Sequence, residues 1–252
     1  MDVQARLPPL ALTYHGVADV PLRHDPDHLF VRPRDLERHV ATLRSWGYEL
    51  VSFGTLAARA AEGRAEGFAA LTFDDGLSDN LTTLVPLLAK AGAAATVFVV
   101  SGWLGRPHPT APWTRILTAD ELRRLAAAGI EVGGHTRTHP DLTALVEAEA
   151  RAELSAGREE LEGILGVAVE VAAYPYGAAN AETRDACRAA GFRAACRTLG
   201  WGSWSDPYDL PRQAMENRAS LVGLRLKRAG LYEPLMRHRP ARALRRLSRR
   251  MR

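Results

Sequence analysis

The chain has 252 residues, of which 46% are hydrophobic and 25% charged, which is enough apolar material for one sizeable core. No apolar stretch reaches the roughly 18 residues of a membrane-spanning helix, and two cysteines exclude a disulfide framework. Because the first residues lack the long apolar run of an export signal, we expect a cytoplasmic protein.

The formal charge of +4 is distributed unevenly. Residues 237–252 hold eight arginines and no acidic residue, so residues 1–236, predicted to form a single domain, carry −4. Leu244, Leu247 and Met251 share one face of a helix, which predicts a basic amphipathic helix on an anionic membrane surface at the inner face. A solvated arginine run is the alternative. Because the body is acidic and the tail lacks aromatics, we expect no nucleic-acid partner.

Segments with the features of strands and helices alternate along the chain. The predicted strands are 10–17, 48–53, 68–73, 93–100, 130–136, 169–177 and 192–198. The predicted helices are 33–47, a short alanine-rich segment before residue 64, 81–92, 118–129, 144–165 and 181–191. This alternation predicts a mostly parallel α/β sheet, wound either into a barrel or into an open doubly wound sheet. In both folds, the loops at the carboxyl ends of the strands build the site.

A long loop at 102–118 separates the fourth strand from the next helix. It contains Trp103, Trp113 and three prolines. Loops of this length in a compact domain are often binding elements. Both tryptophans are therefore candidates for stacking on a substrate, and the alternative is that they are core or rim residues.

The third predicted strand ends in two adjacent carboxylates, Asp74 and Asp75, followed by Gly76. Two shielded carboxylates side by side do not both ionise unless positive charge lies beside them. A metal ion meets this requirement, because one carboxylate can bind it while the other takes a proton from the attacking water. A solvated turn with a helix cap is the alternative.

Histidines follow two other predicted strands. His135 and His139 lie after the fifth, and Pro140 moves them off helical geometry onto a turn. Two imidazoles and one carboxylate form a three-ligand catalytic metal set. His15 ends the first strand, where it is either a general acid or a structural histidine.

The sixth predicted strand ends in an aromatic-proline turn. Tyr174 and Tyr176 supply ring surface, and Pro175 with Gly177 fixes a tight turn that can aim a backbone N–H at an oxyanion. The alternative is a turn that plugs the end of a barrel.

TFDDG, HTRTH and YPYG, in this order and at these separations, resemble the polysaccharide deacetylases of carbohydrate esterase family 4. The resemblance covers residues 10 to 215 and implies a distorted (β/α)7-type barrel with mostly parallel strands. It implies a hydrolase that removes acetyl groups from N-acetylated sugars with a divalent metal, often zinc.

Carried over by position, the resemblance makes Asp74 the catalytic base. It makes Asp75, His135 and His139 the metal ligands, and the Tyr176 backbone N–H part of the oxyanion site. The residues expected to contact the substrate are Tyr174, Pro175, Trp103, Trp113 and Arg212.

The sequence departs from the family pattern in two places. Ala172 stands where members carry an arginine, and no late Leu-x-His supplies the acid. TYHGV resembles a permuted variant of the family in which the acid precedes TFDDG, which favours His15. Arg212, in SDPYDLPR, is expected to replace the missing charge, with Asp206 or Asp209 orienting it; a surface turn is the alternative.

The leading hypothesis is a metal-dependent N-deacetylase of an amino sugar within the cell. The substrate is expected to be a glycan, a lipid-linked glycan or a sugar conjugate. Two alternatives stay open. One is a sugar-binding protein without turnover, and the other is a hydrolase of another C–N amide bond.

The arginine-rich tail generates the first prediction. Deleting residues 237–252 is expected to abolish sedimentation of the protein with anionic liposomes, because the cationic helix is removed. The full-length chain in the same assay is the control. Unchanged binding of the truncated chain would remove the membrane hypothesis.

Overall fold

Parallel strands surrounded by helices make up the molecule. The structure, a computed structural model, describes residues 7–198, 200, 202–215 and 220–232. The strands are β1 (Leu10–Tyr14), β2 (Gly16–Val17), β3 (Phe30–Val31), β4 (Glu49–Val51), β5 (Phe68–Phe73), β6 (Thr96–Val99), β7 (Glu131–Gly134), β8 (Val171–Ala173), β9 (Ala194–Arg197), β10 (Leu210–Pro211) and β11 (Gln213–Ala214). The helices are α1 (Pro33–Ser45), α2 (Phe53–Ala61), α3 (Val85–Ala91), α4 (Ala119–Ala127), α5 (Glu147–Leu165), α6 (Ala181–Ala189) and α7 (Leu221–Arg228).

The main sheet runs in the order β10-β9-β8-β7-β6-β5-β1-β11, and β4 pairs with the first half of β5. Its two outermost strands, β10 and β11, are consecutive in the chain and separated only by Arg212. The segment 210–214 therefore pairs with β9 on one side and with β1 on the other, and nearly closes the sheet. This confirms the predicted distorted, mostly parallel barrel and decides against an open sheet.

The distortion lies beside β5, where β4 pairs with Phe68–Ala70 and β6 pairs with Thr72 and Phe73. Because β1 occupies the other edge of β5 from Ala69 to Phe73, β4 and β6 share the remaining edge. The start of α2, which follows β4, is hydrogen-bonded to β6 and β7. The Phe53 N–H donates to Thr96 Oγ1 at 2.7 Å, and the Gly54 N–H donates to the Glu131 carboxylate at 2.9 Å.

Alternate residues of the strands face two different cores, as the period of two requires. One face of each strand packs against the surrounding helices, for example through Leu12 and Leu71. The other face fills the barrel interior with small and aromatic side chains, among them Ala70 and Phe98. Residue 74 continues the inward-facing series of β5, which directs its side chain towards the barrel mouth.

Most predicted elements match strands and helices of the structure, with local differences. The predicted first strand breaks at His15 into β1 and β2, and β2 pairs with β3 in a separate small sheet. Helix α5 begins at Glu147 rather than at 144, because Leu142–Ala144 form their own short turn capped by Asp141. Helix α7 was not expected.

The arginine-rich segment 237–252, predicted to contact membranes, lies outside the described residues. Within the described part of the chain, no helix combines the length and the apolar composition needed to cross a membrane.

Helix α5 passes close to the turn that carries the two motif histidines, and Gly157 makes this approach possible. A Cβ added at Gly157 would lie 2.7 Å from the Thr136 carbonyl carbon and 2.9 Å from the Arg137 nitrogen. At those distances the backbone of the turn would have to move. A Cβ at Gly163 in the same helix meets nothing within 4 Å.

The two glycines form a matched pair for a stability measurement. Gly157→Ala is expected to lower the free energy of unfolding by roughly 1–3 kcal/mol, because the added methyl overpacks against backbone. Gly163→Ala is expected to raise it by about 0.5–1 kcal/mol through helix propensity alone. Urea unfolding measures both, and equal effects would contradict the close approach.

Candidate active site

The motif residues meet at one rim of the barrel, around a cavity of about 660 Å³. The carboxyl ends of parallel strands lie at the same edge of a sheet, so residues that follow β1, β5, β7 and β8 converge there. The motif side chains that line the cavity are His15, Asp74, Asp75, His135, His139 and Tyr176.

The backbone at this rim is held in an unusual conformation. Five non-glycine residues of the described chain have a positive φ, and four of them lie at the site. They are Asp75 (φ 72°), Thr136 (φ 64°), His139 (φ 65°) and Tyr176 (φ 59°). Such residues carry a cost of order 1–3 kcal/mol each and persist where the surrounding structure fixes them, commonly at functional sites.

Asp75, His135 and His139 form a compact set of potential metal ligands. Their ligand atoms lie within 4.8 Å of one another, and each histidine Nε2 is 3.7 Å from Asp75 Oδ1. That Oδ1 is buried and has no hydrogen-bond partner among the described residues. A buried carboxylate oxygen without a partner is costly. A divalent cation would satisfy it, and two imidazoles with one carboxylate are a donor set typical of catalytic zinc.

Both histidines direct Nε2 towards Asp75 Oδ1. The Nδ1 of His135 donates to the Ala173 carbonyl oxygen at 2.7 Å, so in the neutral imidazole Nε2 carries no proton and faces Asp75. Burial, reinforced by the neighbouring His135, lowers the pKa of His139 to about 4. His139 is therefore neutral near pH 7, as a metal ligand must be.

Asp74 is held by a fully buried arginine. Arg212 donates through its two terminal nitrogens to Asp74 Oδ1 at 2.7 Å and Oδ2 at 2.8 Å. It also donates to the hydroxyls of Thr72 and Thr198. Burial acts to raise the pKa of the Asp74 carboxyl, but the Arg212 guanidinium, aided by His135 and His15, outweighs it and holds the pKa below its ordinary value. Asp74 is thus ionised across the neutral range.

His15 lies on the cavity wall at the end of β1. The segment that follows the two aspartates holds it in place. Asn80 donates from Nδ2 to the His15 carbonyl at 3.0 Å, and the Val17 N–H donates to the Asp79 carboxylate at 2.8 Å. His15 is also near enough to act on the pKa of both Asp74 and Asp75.

Comparison with known proteins identifies the family. The sequence profile of the family described as polysaccharide deacetylase matches residues 61–195, more than half of the chain. The chain belongs to the polysaccharide deacetylase family.

Two curated relatives match parts of the chain. The chitooligosaccharide deacetylase of Rhizobium leguminosarum bv. trifolii is 35% identical over 141 residues, which are 54% of this chain and 59% of that protein. YxkH of Bacillus subtilis (strain 168) is 26% identical over 191 residues, which are 75% of this chain and 63% of YxkH. The matched regions therefore span about six-tenths of each relative.

Solved structures confirm the barrel. The Streptococcus pyogenes deacetylase PplD, solved in complex with acetate, superposes with a TM-score of 0.76 at 21% identity, over 88% of this chain and 99% of PplD. IcaB from Ammonifex degensii gives a TM-score of 0.74 at 21% identity, over 88% of this chain and 96% of IcaB. At these identities the likeness concerns the fold.

Not every residue expected to contact substrate faces the cavity of this family member. Tyr174 is fully buried and donates its hydroxyl to the Tyr208 carbonyl. Pro175, the first residue of the turn Pro175–Gly177, is also buried. Trp113 is 48% exposed, but it packs on Phe30 and does not line the cavity. The expectation that these three residues contact the substrate is corrected. Tyr174 and Pro175 form the turn that carries Tyr176, and Trp113 packs between two loops.

Trp103 and Tyr176 do line the cavity, as expected. Their rings lie on His139, with centroids at 5.1 Å and 4.8 Å from the imidazole. The Tyr176 side chain is 68% exposed, so most of its surface is open to a ligand.

The expected partners of Arg212 are also corrected. Asp206 lies 3.6 Å from Arg184, and Asp209 lies 3.1 Å from Arg197. Arg212 is oriented by Asp74 and the two threonine hydroxyls instead. The expectation that Arg212 contacts the substrate is also corrected, because its side chain is completely buried and does not line the cavity.

Sequence analysis missed His108. This residue of the long loop lies in the cavity with Nε2 3.1 Å from Asp75 Oδ2. A single histidine among prolines belongs to no spaced motif, and the only signal for it was the length of the loop.

The Asp74–Arg212 pair generates a stability prediction. Arg212→Leu leaves Asp74 buried without its counter-charge, so we expect the free energy of unfolding at pH 7 to fall by about 3–5 kcal/mol. Because the pKa of Asp74 is lower in the folded than in the unfolded chain, the pair stabilises the fold above the unfolded value of about 3.9 and less as pH falls through the folded value. The effect of the substitution should therefore shrink in acid.

Urea unfolding at neutral and acidic pH measures this effect. Asp74→Asn combined with Arg212→Leu should recover part of the loss, because no charge is then buried alone. Arg184→Leu, which removes a partly exposed pair with Asp206, is the control and should cost below about 1 kcal/mol. A pH-independent loss in Arg212→Leu would argue against the charge pair.

Proposed function

We propose that the protein is a metal-dependent carbohydrate N-deacetylase, a hydrolase that removes the acetyl group from an N-acetylated amino sugar. The observation that carries the proposal is the Asp75–His135–His139 ligand set beside an ionised Asp74 in one cavity. Zinc is the metal that best suits these ligands. The substrate is a glycan, a lipid-linked glycan or a sugar conjugate.

Asp74 is the general base. A divalent cation bound by Asp75, His135 and His139 would polarise the acetyl carbonyl and acidify the attacking water enough for a carboxylate of low pKa to take its proton. Arg212 keeps Asp74 ionised and fixes both of its oxygens. The base is therefore oriented before the substrate arrives, which lowers the entropic part of the barrier.

Two further groups complete the reaction. The backbone N–H of Tyr176, in the tight turn after β8, stabilises the developing oxyanion. His15, on the cavity wall, donates a proton to the leaving nitrogen as acetate departs. The positions of the two residues around the cavity support these roles.

Family membership and the chitooligosaccharide deacetylase among the relatives support an N-acetylated sugar as substrate. The exposed Tyr176 ring and Trp103 at the cavity support it as well, because aromatic faces offer apolar surface for packing.

The proposal is tested by acetate release from N-acetylated chitooligosaccharides, with zinc content measured in parallel. Asp75→Ala is expected to lose both metal and turnover. Asp74→Asn and His15→Ala are expected to keep the metal and lose about 10²–10⁴-fold in turnover, the usual contribution of a general base or acid. His24→Ala, an exposed histidine outside the cavity, is the control and should be unchanged.

The outcomes separate the remaining alternatives. A zinc-loaded wild type that binds acetylated sugars without releasing acetate would indicate a binding protein. Turnover confined to another class of amide would indicate a different hydrolase. Full activity of Asp74→Asn would refute the assigned base.

A further inference from the structure

We propose that His108 is a positioning residue for the metal centre: it holds one oxygen of Asp75 so that only the other faces the cation. The inference rests on the proposed function, because it concerns the same metal centre. Nothing in the family motifs includes His108, which lies in the long loop between β6 and α4.

The two oxygens of Asp75 have different surroundings. Oδ2 is 3.1 Å from His108 Nε2, and the two side chains are only 7% and 5% exposed. Oδ1 has no hydrogen-bond partner among the described residues and faces the Nε2 atoms of His135 and His139. Turning the carboxylate to offer both oxygens to a cation would break the buried contact with His108, which is costly in a shielded site.

The tautomer of His108 follows from its second nitrogen. Nδ1 lies 3.2 Å from the Ala111 backbone nitrogen and 3.3 Å from that of Thr110, and backbone N–H groups only donate. Nδ1 is therefore the acceptor, and the ring proton of neutral His108 sits on Nε2. This proton points at Asp75, so the imidazole is a donor to the carboxylate without any change of charge.

The long loop that carries His108 is anchored to neighbouring segments of the site, and these contacts restrict the movement of the His108 imidazole. Its residues pair with the segment after the aspartates at Leu77 and Ile116, and Pro107 pairs with Arg115 across the loop. The Trp103 ring contacts His108 edge-on with centroids 5.7 Å apart, and it also contacts His139. Hydrogen-bond partners of metal ligands orient those ligands, and losing one typically weakens metal affinity 10–100-fold.

The two hydrogen bonds of the His108 imidazole can be removed one at a time, because Gln and Asn place their amide groups at different distances from the backbone. Gln places an amide nitrogen near the position of Nε2, so His108→Gln can still donate to Asp75. Asn places its amide near Nδ1, so His108→Asn can still accept from the Ala111 N–H but does not reach Asp75. His108→Ala removes both contacts.

The experiment measures zinc affinity of the full chain by competition with a chelator, with the thermal midpoint of each zinc-free protein beside it. His108→Asn and His108→Ala are expected to bind zinc 10–100-fold more weakly than wild type, while His108→Gln stays within a few-fold. The visible spectrum of the cobalt-loaded proteins, which reports coordination, should change in His108→Asn and match wild type in His108→Gln.

The possible outcomes distinguish failure of the His108 role from failure of the metal centre. Wild-type zinc affinity in His108→Asn would overturn the role of His108, as would a loss in His108→Gln equal to that in His108→Ala. Absence of zinc binding by wild type, or unchanged binding by Asp75→Ala, would instead overturn the metal centre and with it the proposed function.

Discussion

The buried pair between Arg212 and Asp74 links the closure of the barrel to the candidate active site at its mouth. Arg212 stands between β10 and β11, where one short segment joins both ends of the sheet. Its guanidinium is completely buried and reaches the carboxylate at the end of β5. A charge in such a place is tolerable only when it is paired and hydrogen-bonded. Any displacement of the closing segment would therefore also disturb the carboxylate.

The same pair explains how two adjacent carboxylates coexist in a buried site. Asp74 is neutralised by Arg212, whereas Asp75 faces His108, His135 and His139. Burial acts to raise the pKa of Asp75, but the hydrogen bond from His108 and the nearby histidines hold it well below its ordinary value. Each aspartate therefore has its own partners, which is compatible with the proposed roles of Asp74 as base and Asp75 as metal ligand.

Conformational strain concentrates at the rim of the cavity, next to the two aspartates. The positive φ at Asp75 turns the chain directly after Asp74, so neighbouring residues face different partners. Thr136 and His139 share this conformation in the histidine turn, and α5 is packed against the backbone there at Gly157. The sheet, helix α5 and the long loop at 102–118 all pack around this rim. Such packing holds the strained backbone conformations in place.

The family resemblance, rather than periodicity, favoured a barrel over an open sheet. The sequence by itself determined the order of strands and helices along the chain and the residues clustered at the strand ends. Those features depend on short-range periodicity and on the rule that parallel strands end at one edge. Only the tertiary structure decided that Arg212 meets Asp74 across 138 positions of the chain, and that His108 meets Asp75 across 33. It also turned Tyr174 inward and Trp113 away from the cavity. Contacts of this kind arise from barrel closure and loop packing, and neither leaves a periodic signal in the residues that make them.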